Sequence, residues 1–370
     1  MKTGSLALAG SLCLLWSASL AVPQSSAQLS RNRRPEFAYT ADQNSNTVSG
    51  FRVGANGSLT PLAKPSFPTG SAPNGVAVDP SGRFLYVVNL LSNNVSGYSI
   101  GEYGVLKPVP GSPFPAGSGP GWITIDPTGR FVYVANCADL CSGSGQGSVS
   151  GYAINKSTGA LVAVPGSPFT ADQIPYAVTV DPTGAFTYVA NFRSGTVSVF
   201  KIDQCSGSLS AISVSVPTGA SSIALVLDPQ GRFLYVANTA SNNVSAFAIG
   251  SDGTLTAMPG SPFASGEFTQ GVAVDPSGEF VYVSQGFQVL GYSIGPNGEL
   301  VPLTGSPFAA SGFLVSLTMD RSGRFVYGAT SGGVDAFALD ATTGNLTQVT
   351  GSPFTAGGAN TAFVTTTMSR

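Results

Sequence analysis

Histidine is missing from all 370 residues. Its absence removes Ser–His and Cys–His nucleophile pairs, imidazole general bases and histidine-ligated metal from the available chemistry. Charge is scarce as well: Asp, Glu, Lys and Arg together make up 9% of the chain, and the formal net charge is −2. With no basic patch and no long charge run, nucleic acid is not expected as a partner. The one apolar run, Leu6 to Trp16, is short for crossing a membrane, so no membrane span is expected. Only 4 cysteines are present, too few for a disulfide scaffold. In contrast, 47 Gly and 26 Pro suit a chain of many short strands joined by tight turns.

The N-terminus has the pattern of a secretory signal over residues 1–27. Lys2 supplies the positive start, Leu6 to Trp16 the apolar core, and Ser25-Ser26-Ala27 a small-residue cleavage site. The alternative is an ordinary buried element, although the segment matches none of the repeats described below. Cys13 lacks the small residue expected just before a lipidated cysteine. The reading is export, to the periplasm or outside the cell, with residues 28–35 a short linker and residues 36–370 the folded part.

That folded part is organised around VAVDPSGRFLYVVN, Val76 to Asn89. Alternating apolar residues flank Asp79-Pro80-Ser81-Gly82, which carries Asp, Pro and Gly where a type I turn favours them. The stretch therefore reads as a strand, a turn and a second strand. The turn recurs at Asp126, Asp181, Asp228, Asp275 and Asp320, and its tyrosine as Tyr39, Tyr86, Tyr133, Tyr188, Tyr235, Tyr282 and Tyr327. A polar turn, a third strand, a short fourth strand and often GSPF follow each copy. A repeat of this length with four short strands is the signature of a propeller blade. The expectation is all-β: a seven-bladed β-propeller with four antiparallel strands per blade. Tyr39 has no first strand before it, and TAFVTTTMSR at Thr361–Arg370 would supply one. N- and C-terminal strands then share one blade and close the ring, removing open sheet edges. GSPF is expected at the crossing between blades, its Phe wedged between neighbouring sheets. A parallel β-helix, with shorter coils and no paired antiparallel turns, is the competing repeat fold.

The strand endings YVVN, YVAN and YVSQ, together with VDPSGRFLYVVN and GSPF, resemble the YVTN-type repeat of the lactonase-type seven-bladed propellers, 6-phosphogluconolactonase-like proteins. The resemblance covers about residues 36–370. It implies hydrolysis of a sugar lactone, with muconate-type cycloisomerases as relatives; a histidine-dependent cyclase is not supported here.

Chemistry must then be sought in the channel and on the loops. The innermost strands turn Gly75, Ala77, Thr124, Ala177, Thr179, Ala224, Val226, Gly271, Ala273, Ser316 and Thr318 inward, all small, plus Trp122. Converging strands need small residues there, and no carboxylate is available to hold a metal in the channel. The face carrying the turns from second to third strand gathers Arg193, Asp172 and Glu267. These are the candidate catalytic residues: a base for water and a cation for the developing oxyanion. Solvated loop charges are the plainer explanation. Trp122, Tyr176, Asn136, Asn191, Asn238 and Gln285 are candidate ligand-binding residues on the same face, which also carries Asp42, Asp139, Phe192, Phe268, Phe287 and Phe313. The recurring asparagines equally suit a local role, bonding the loop backbone at strand ends.

Cys137 and Cys141 sit in the one long insertion, CADLCSGSGQG, where an exported chain would form a local disulfide, leaving Cys205 free. No cofactor and no metal ligand set is expected, with a divalent metal left open. Two functions remain. One is an exported lactonase-type propeller acting on a sugar-derived lactone. The other is a non-catalytic propeller, a monomer that binds carbohydrate, peptide or a surface protein on its loop-rich face.

Overall fold

The structure is a computed structural model that describes residues 35–138, 141, 145–212, 215–355 and 361–367. The signal and most of the linker lie outside the described residues, as does Asp139. Every regular element is a β-strand, and the strands form seven antiparallel sheets. Blade 2 shows the plan: Pro73–Val78 innermost, then Phe84–Asn89, Asn94–Ile100 and Leu106–Pro108 outward. The innermost strands touch their neighbours in sequence around the ring, and the last of them, Thr361–Thr366, touches that of blade 2. The chain is a seven-bladed β-propeller.

The hairpin turn is held by its aspartate. One Asp79 oxygen accepts the N–H groups of Arg83 and Phe84, both at 2.7 Å, while the other accepts the N–H of Ser81. In each of the other five aspartate turns the carboxylate likewise accepts the N–H five residues on, as Asp320 does from Phe325. Carboxylate acceptors for several backbone donors are the strong kind of hydrogen bond.

Blade 1 takes Phe37–Asp42, Thr47–Val53 and Leu59–Pro68 from the N-terminal side and Thr361–Thr366 from the C-terminal side. Thr367 stands where the other blades have the turn aspartate: its Oγ1 accepts the Phe37 N–H at 2.9 Å, and its N–H donates to the Phe37 carbonyl. A hydroxyl replaces the carboxylate because here no covalent turn joins the two strands.

Blades are joined by a latch that the sequence pattern marks without disclosing. Each of the seven tyrosines is fully buried, and its hydroxyl donates to a glycine carbonyl in the next blade. Tyr86 reaches Gly159 at 2.7 Å, Tyr235 reaches Gly298 at 2.9 Å, and Tyr327 crosses the closure to Gly57 at 3.1 Å. Those glycines have positive φ, and a Cβ on Gly159 would lie 2.4 Å from the Phe84 ring. Glycine is needed there both for the backbone conformation and for the close approach of the ring.

GSPF departs from expectation. It is not simply the crossing between blades. After the fourth strand breaks off, residues such as Phe114–Pro115 run back along the third strand of their own blade, opposite Val95 and Asn94. The break would strand a third-strand N–H, and the GSPF serine accepts it: Ser112 from Gly97, Ser261 from Ala246, Ser306 from Gly291. The wedge is real, since Phe114 belongs to a core shared by blades 2 and 3 with Tyr86, Val88, Val132 and Val134.

Candidate functional site

Every innermost strand carries a β-bulge at the same place. In blade 4, Pro175 pairs with Asn191 and Ala177 with Ala190, leaving Tyr176 unpaired between them. The corresponding break falls at Ala362 in blade 1, Gly121 in blade 3, Ile223 in blade 5 and Val315 in blade 7. In blades 2 and 6 it takes in Asn74 and Gln270. Bulges re-aim side chains at rims and sites, and here they break the strict alternation on which the sequence reading of the channel relied. The extra residue turns toward the axis beside the expected small one.

The result is a cavity of about 200 Å³ at the mouth of the channel. Asn74, Tyr176, Ile223, Gln270, Val315 and Ala362 come from the bulges, joined by Trp122, Ser316 and Phe363 from the next position along and by Gln43 and Thr361 from blade 1. Among the described residues no charged side chain lines it. Trp122 and Phe363 meet edge to face, ring centroids 4.5 Å apart. Both also wall a second cavity of about 120 Å³ deeper in the channel, so the pair forms the floor of the mouth. Phe363 escaped the sequence reading because the closing strand was used there only to complete the ring.

Amides bridge the blades around this mouth. Gln43 Nε2 donates to Asn74 Oδ1 at 3.0 Å, and Asn74 Nδ2 donates to the Gly121 carbonyl at 3.0 Å and to the Tyr176 hydroxyl at 3.5 Å. Gln270 Nε2 reaches Thr239 Oγ1 at 3.3 Å. Burial pushes the Tyr176 phenol above its ordinary range, which leaves it neutral, a hydrogen-bonding group rather than a base. The Ser316 hydroxyl is buried with no hydrogen-bond partner.

The candidate residues fall into three groups. Trp122 and Tyr176 line the mouth. Asn136, Asn191 and Asn238 do not: they are buried within their blades, where each side-chain amide donates to a third-strand serine, as Asn191 does to Ser198 at 2.9 Å. Gln285, at the equivalent strand end in blade 6, lies against Gly266, as Asn136 lies against Gly117 and Asn238 against Gly219. Local anchoring, not ligand contact, is where the structure puts these asparagines. Arg193, Asp172 and Glu267 are not gathered either. Asp172 lines a groove between blades 3 and 4, its carboxylate taken by the Gln173 N–H and the Thr196 hydroxyl. Arg193 and Glu267 are exposed, and the single ion pair among the described residues is Arg232–Asp228. None of the three reaches the mouth cavity, because its walls come from strand bulges rather than loop tips.

Asp42 is the carboxylate nearest in connectivity to the cavity. It takes the place of the recurring asparagine in blade 1 and is fully buried. It accepts from Thr40 at 3.0 Å, Ser49 at 2.5 Å and, at 3.3 Å, from Thr361 of the cavity wall. Burial raises its pKa, and the hydroxyls only partly oppose this. Among the described residues no three of Asp, Glu and Cys gather as a metal site. Cys137 and Cys141 form a disulfide, Cα atoms 5.0 Å apart, and Cys205 is free and exposed.

Seven bulged strands around a mouth with an aromatic floor define a propeller with a cavity on its axis. The family described as lactonase, 7-bladed beta-propeller, matches residues 26–226 and 217–287. The chain belongs to that family. Its fold is shared with a periplasmic gluconolactonase of Pseudomonas aeruginosa at 19% identity, covering 92% of this chain and 100% of that one with a TM-score of 0.75. A candidate 6-phosphogluconolactonase of Bacteroides uniformis is similar at 17% identity, 90% and 99% coverage and a TM-score of 0.76. A Desulfotomaculum acetoxidans protein of unknown function matches at 14% identity, 90% and 99% coverage and a TM-score of 0.73. No curated protein sequence matches significantly.

Proposed function

We propose that this chain is an exported propeller that binds a small uncharged ring, a sugar-derived lactone foremost, in the mouth cavity. The observation that carries the reading is the cavity wall: an aromatic floor of Trp122 and Phe363 with the amides of Gln43, Asn74 and Gln270 around it, and no charge. Aromatic faces take the C–H side of a ring while amides meet its carbonyl and hydroxyl groups. A volume of about 200 Å³ is below the roughly 300–1,000 Å³ of pockets for drug-sized ligands, so one ring is the right scale. A phosphorylated sugar has no cationic partner there. Export is supported by the N-terminal pattern and by the Cys137–Cys141 disulfide.

Hydrolysis is the second reading, favoured by family membership. Ring opening needs a donor for the oxyanion and a base for water. Gln270 supplies a donor, since only one of its two amide hydrogens is engaged, with Thr239. No base lines the mouth: Tyr176 is held neutral, and Asp42 is separated from it by Thr361. Binding without turnover at neutral pH is therefore expected.

The chain from Gln28 onward contains one tryptophan, Trp122, so titration with glucono-δ-lactone should change its fluorescence saturably. Base uptake at constant pH should run at the lactone's spontaneous rate. Saturable fluorescence with enhanced base uptake would move the assignment to lactonase; unchanged fluorescence would remove the pocket reading.

A further inference from the structure

The rim of the mouth is uneven. In blades 1, 2, 4 and 5, four residues join the second and third strands, as in Leu90 to Asn93 between the paired Asn89 and Asn94. In blades 6 and 7 only two do, since Gln285 pairs with Gln288 and Thr330 with Gly333. On that shortened side stand three phenylalanines. Phe268 and Phe287 are 57% and 62% exposed. Both pack edge to face on Phe313, with centroids 5.9 and 5.7 Å apart. The ledge is tied to the cavity wall along the chain: Phe268 lies two residues before Gln270, and Phe313 two before Val315, and both of those line the mouth.

Phe268 is also an unfavourable choice for its place. Its φ is +59°, in the left-handed region, where blade 2 has Ala72, blade 3 has Gly119, blade 5 has Ser221 and blade 4 has Ile174, which unlike Phe268 is buried. A large side chain in that conformation is strained, and an exposed ring gains little burial in return. Here the rim offers three phenylalanine rings in mutual contact.

We propose that cavity and ledge form one site whose ligand is amphipathic: a lactone ring in the mouth and an alkyl or acyl tail lying across Phe268, Phe313 and Phe287. The proposal rests on the ring-binding reading above and adds the class of ring. A hydrocarbon chain lying on the three rings removes both itself and the phenylalanines from water. A chain covered on one side gains about half of full burial, or about twofold in affinity per methylene where full burial gives about fourfold.

The test uses the chain from Gln28 and Trp122 fluorescence, with γ-butyrolactone, γ-octalactone and γ-dodecalactone as probes. Affinity is expected to rise about tenfold or more from the bare ring to the longest tail. A Phe268→Asn, Phe287→Ser double variant should flatten that rise and leave the γ-butyrolactone affinity as it was; Asn tolerates the left-handed conformation, so folding is not at risk. Equal affinity for all three lactones overturns the tail while leaving the ring reading intact. A rise that survives the double variant also overturns it, by placing the tail elsewhere. If neither γ-butyrolactone nor glucono-δ-lactone perturbs Trp122, the ring reading fails and this inference with it.

Discussion

The aspartate-turn face and the mouth of the channel are made from the same seven repeats, yet the repeats agree on one and disagree on the other. At the turn face, six of seven blades use the same aspartate, and all seven tyrosines are buried at the same blade junction. At the bulge beside the mouth, the seven blades present Asn74, Gly121, Tyr176, Ile223, Gln270, Val315 and Ala362. The difference teaches which positions answer to a shared mechanical demand. A latch must work identically at every junction, so its residue is repeated; no such shared demand acts at the mouth, and its residues diverge.

The largest test of that division is the closure. A chain ending at Asn360 loses the innermost strand of blade 1 and the Thr367 contacts to Phe37. It also exposes the edge of Phe37–Asp42 to other chains. It should lose cooperative thermal unfolding and aggregate. A truncated chain that melts at the full-length temperature would show that the ring holds without its clasp.

Much of the scaffold was legible in the sequence, because period-two apolar strands, D-P-x-G turns and tyrosine spacing are local signals and they recur. The latch was half legible: the tyrosines stood out, but their acceptors are backbone carbonyls some 62 to 74 residues away between successive blades. The mouth was least legible. Bulges have no residue signature, so alternation placed Ala77 and Thr179 in the channel and passed over Asn74 and Gln270. Charged loop residues drew the eye to Arg193, Asp172 and Glu267, although the cavity is walled by neutral strand residues.

A single latch should be worth less than the clasp and equally felt everywhere. Tyr235→Phe leaves the buried Gly298 carbonyl without its donor, a loss of about 1–2 kcal/mol, or roughly 2 °C in melting temperature for a domain of this size. Lactone affinity should not change. Gln270→Ala should do the opposite, weakening the ring and sparing the melting point. If the two variants behaved alike, the separation of scaffold from site would collapse.

Asp42 sits on the border between the two regions, and pH exposes its role. Its pKa is raised by burial, so its contribution to stability is fully present below the ordinary value of about 3.9 and is lost as pH rises through the folded value. At neutral pH the buried carboxylate opposes folding. Asp42→Asn restores the residue of blade 4, where Asn191 donates to Thr196 and Ser198, the counterparts of Thr47 and Ser49. The variant should melt higher than wild type at pH 7.5 and gain less at pH 4. A gain as large in acid would mean that packing, not charge, accounts for it.

The smallest effect belongs to two buried serines. Ser222 and Ser316 are 0% and 2% exposed, both on innermost strands. Ser222 donates to Asn238 at 2.9 Å and belongs to the scaffold; Ser316 borders both cavities and its hydroxyl has no partner. Ser222→Ala removes a buried hydrogen bond and should cost about 1 kcal/mol. Ser316→Ala removes a polar atom that gains nothing from the fold, so its melting temperature should equal or slightly exceed that of wild type. On the proposed ring reading that hydroxyl faces the ligand, and the variant should bind the ring more weakly despite its intact stability. A drop in melting temperature matching that of Ser222→Ala would instead return Ser316 to the scaffold and leave the mouth with one polar group fewer than the ring reading assigns to it.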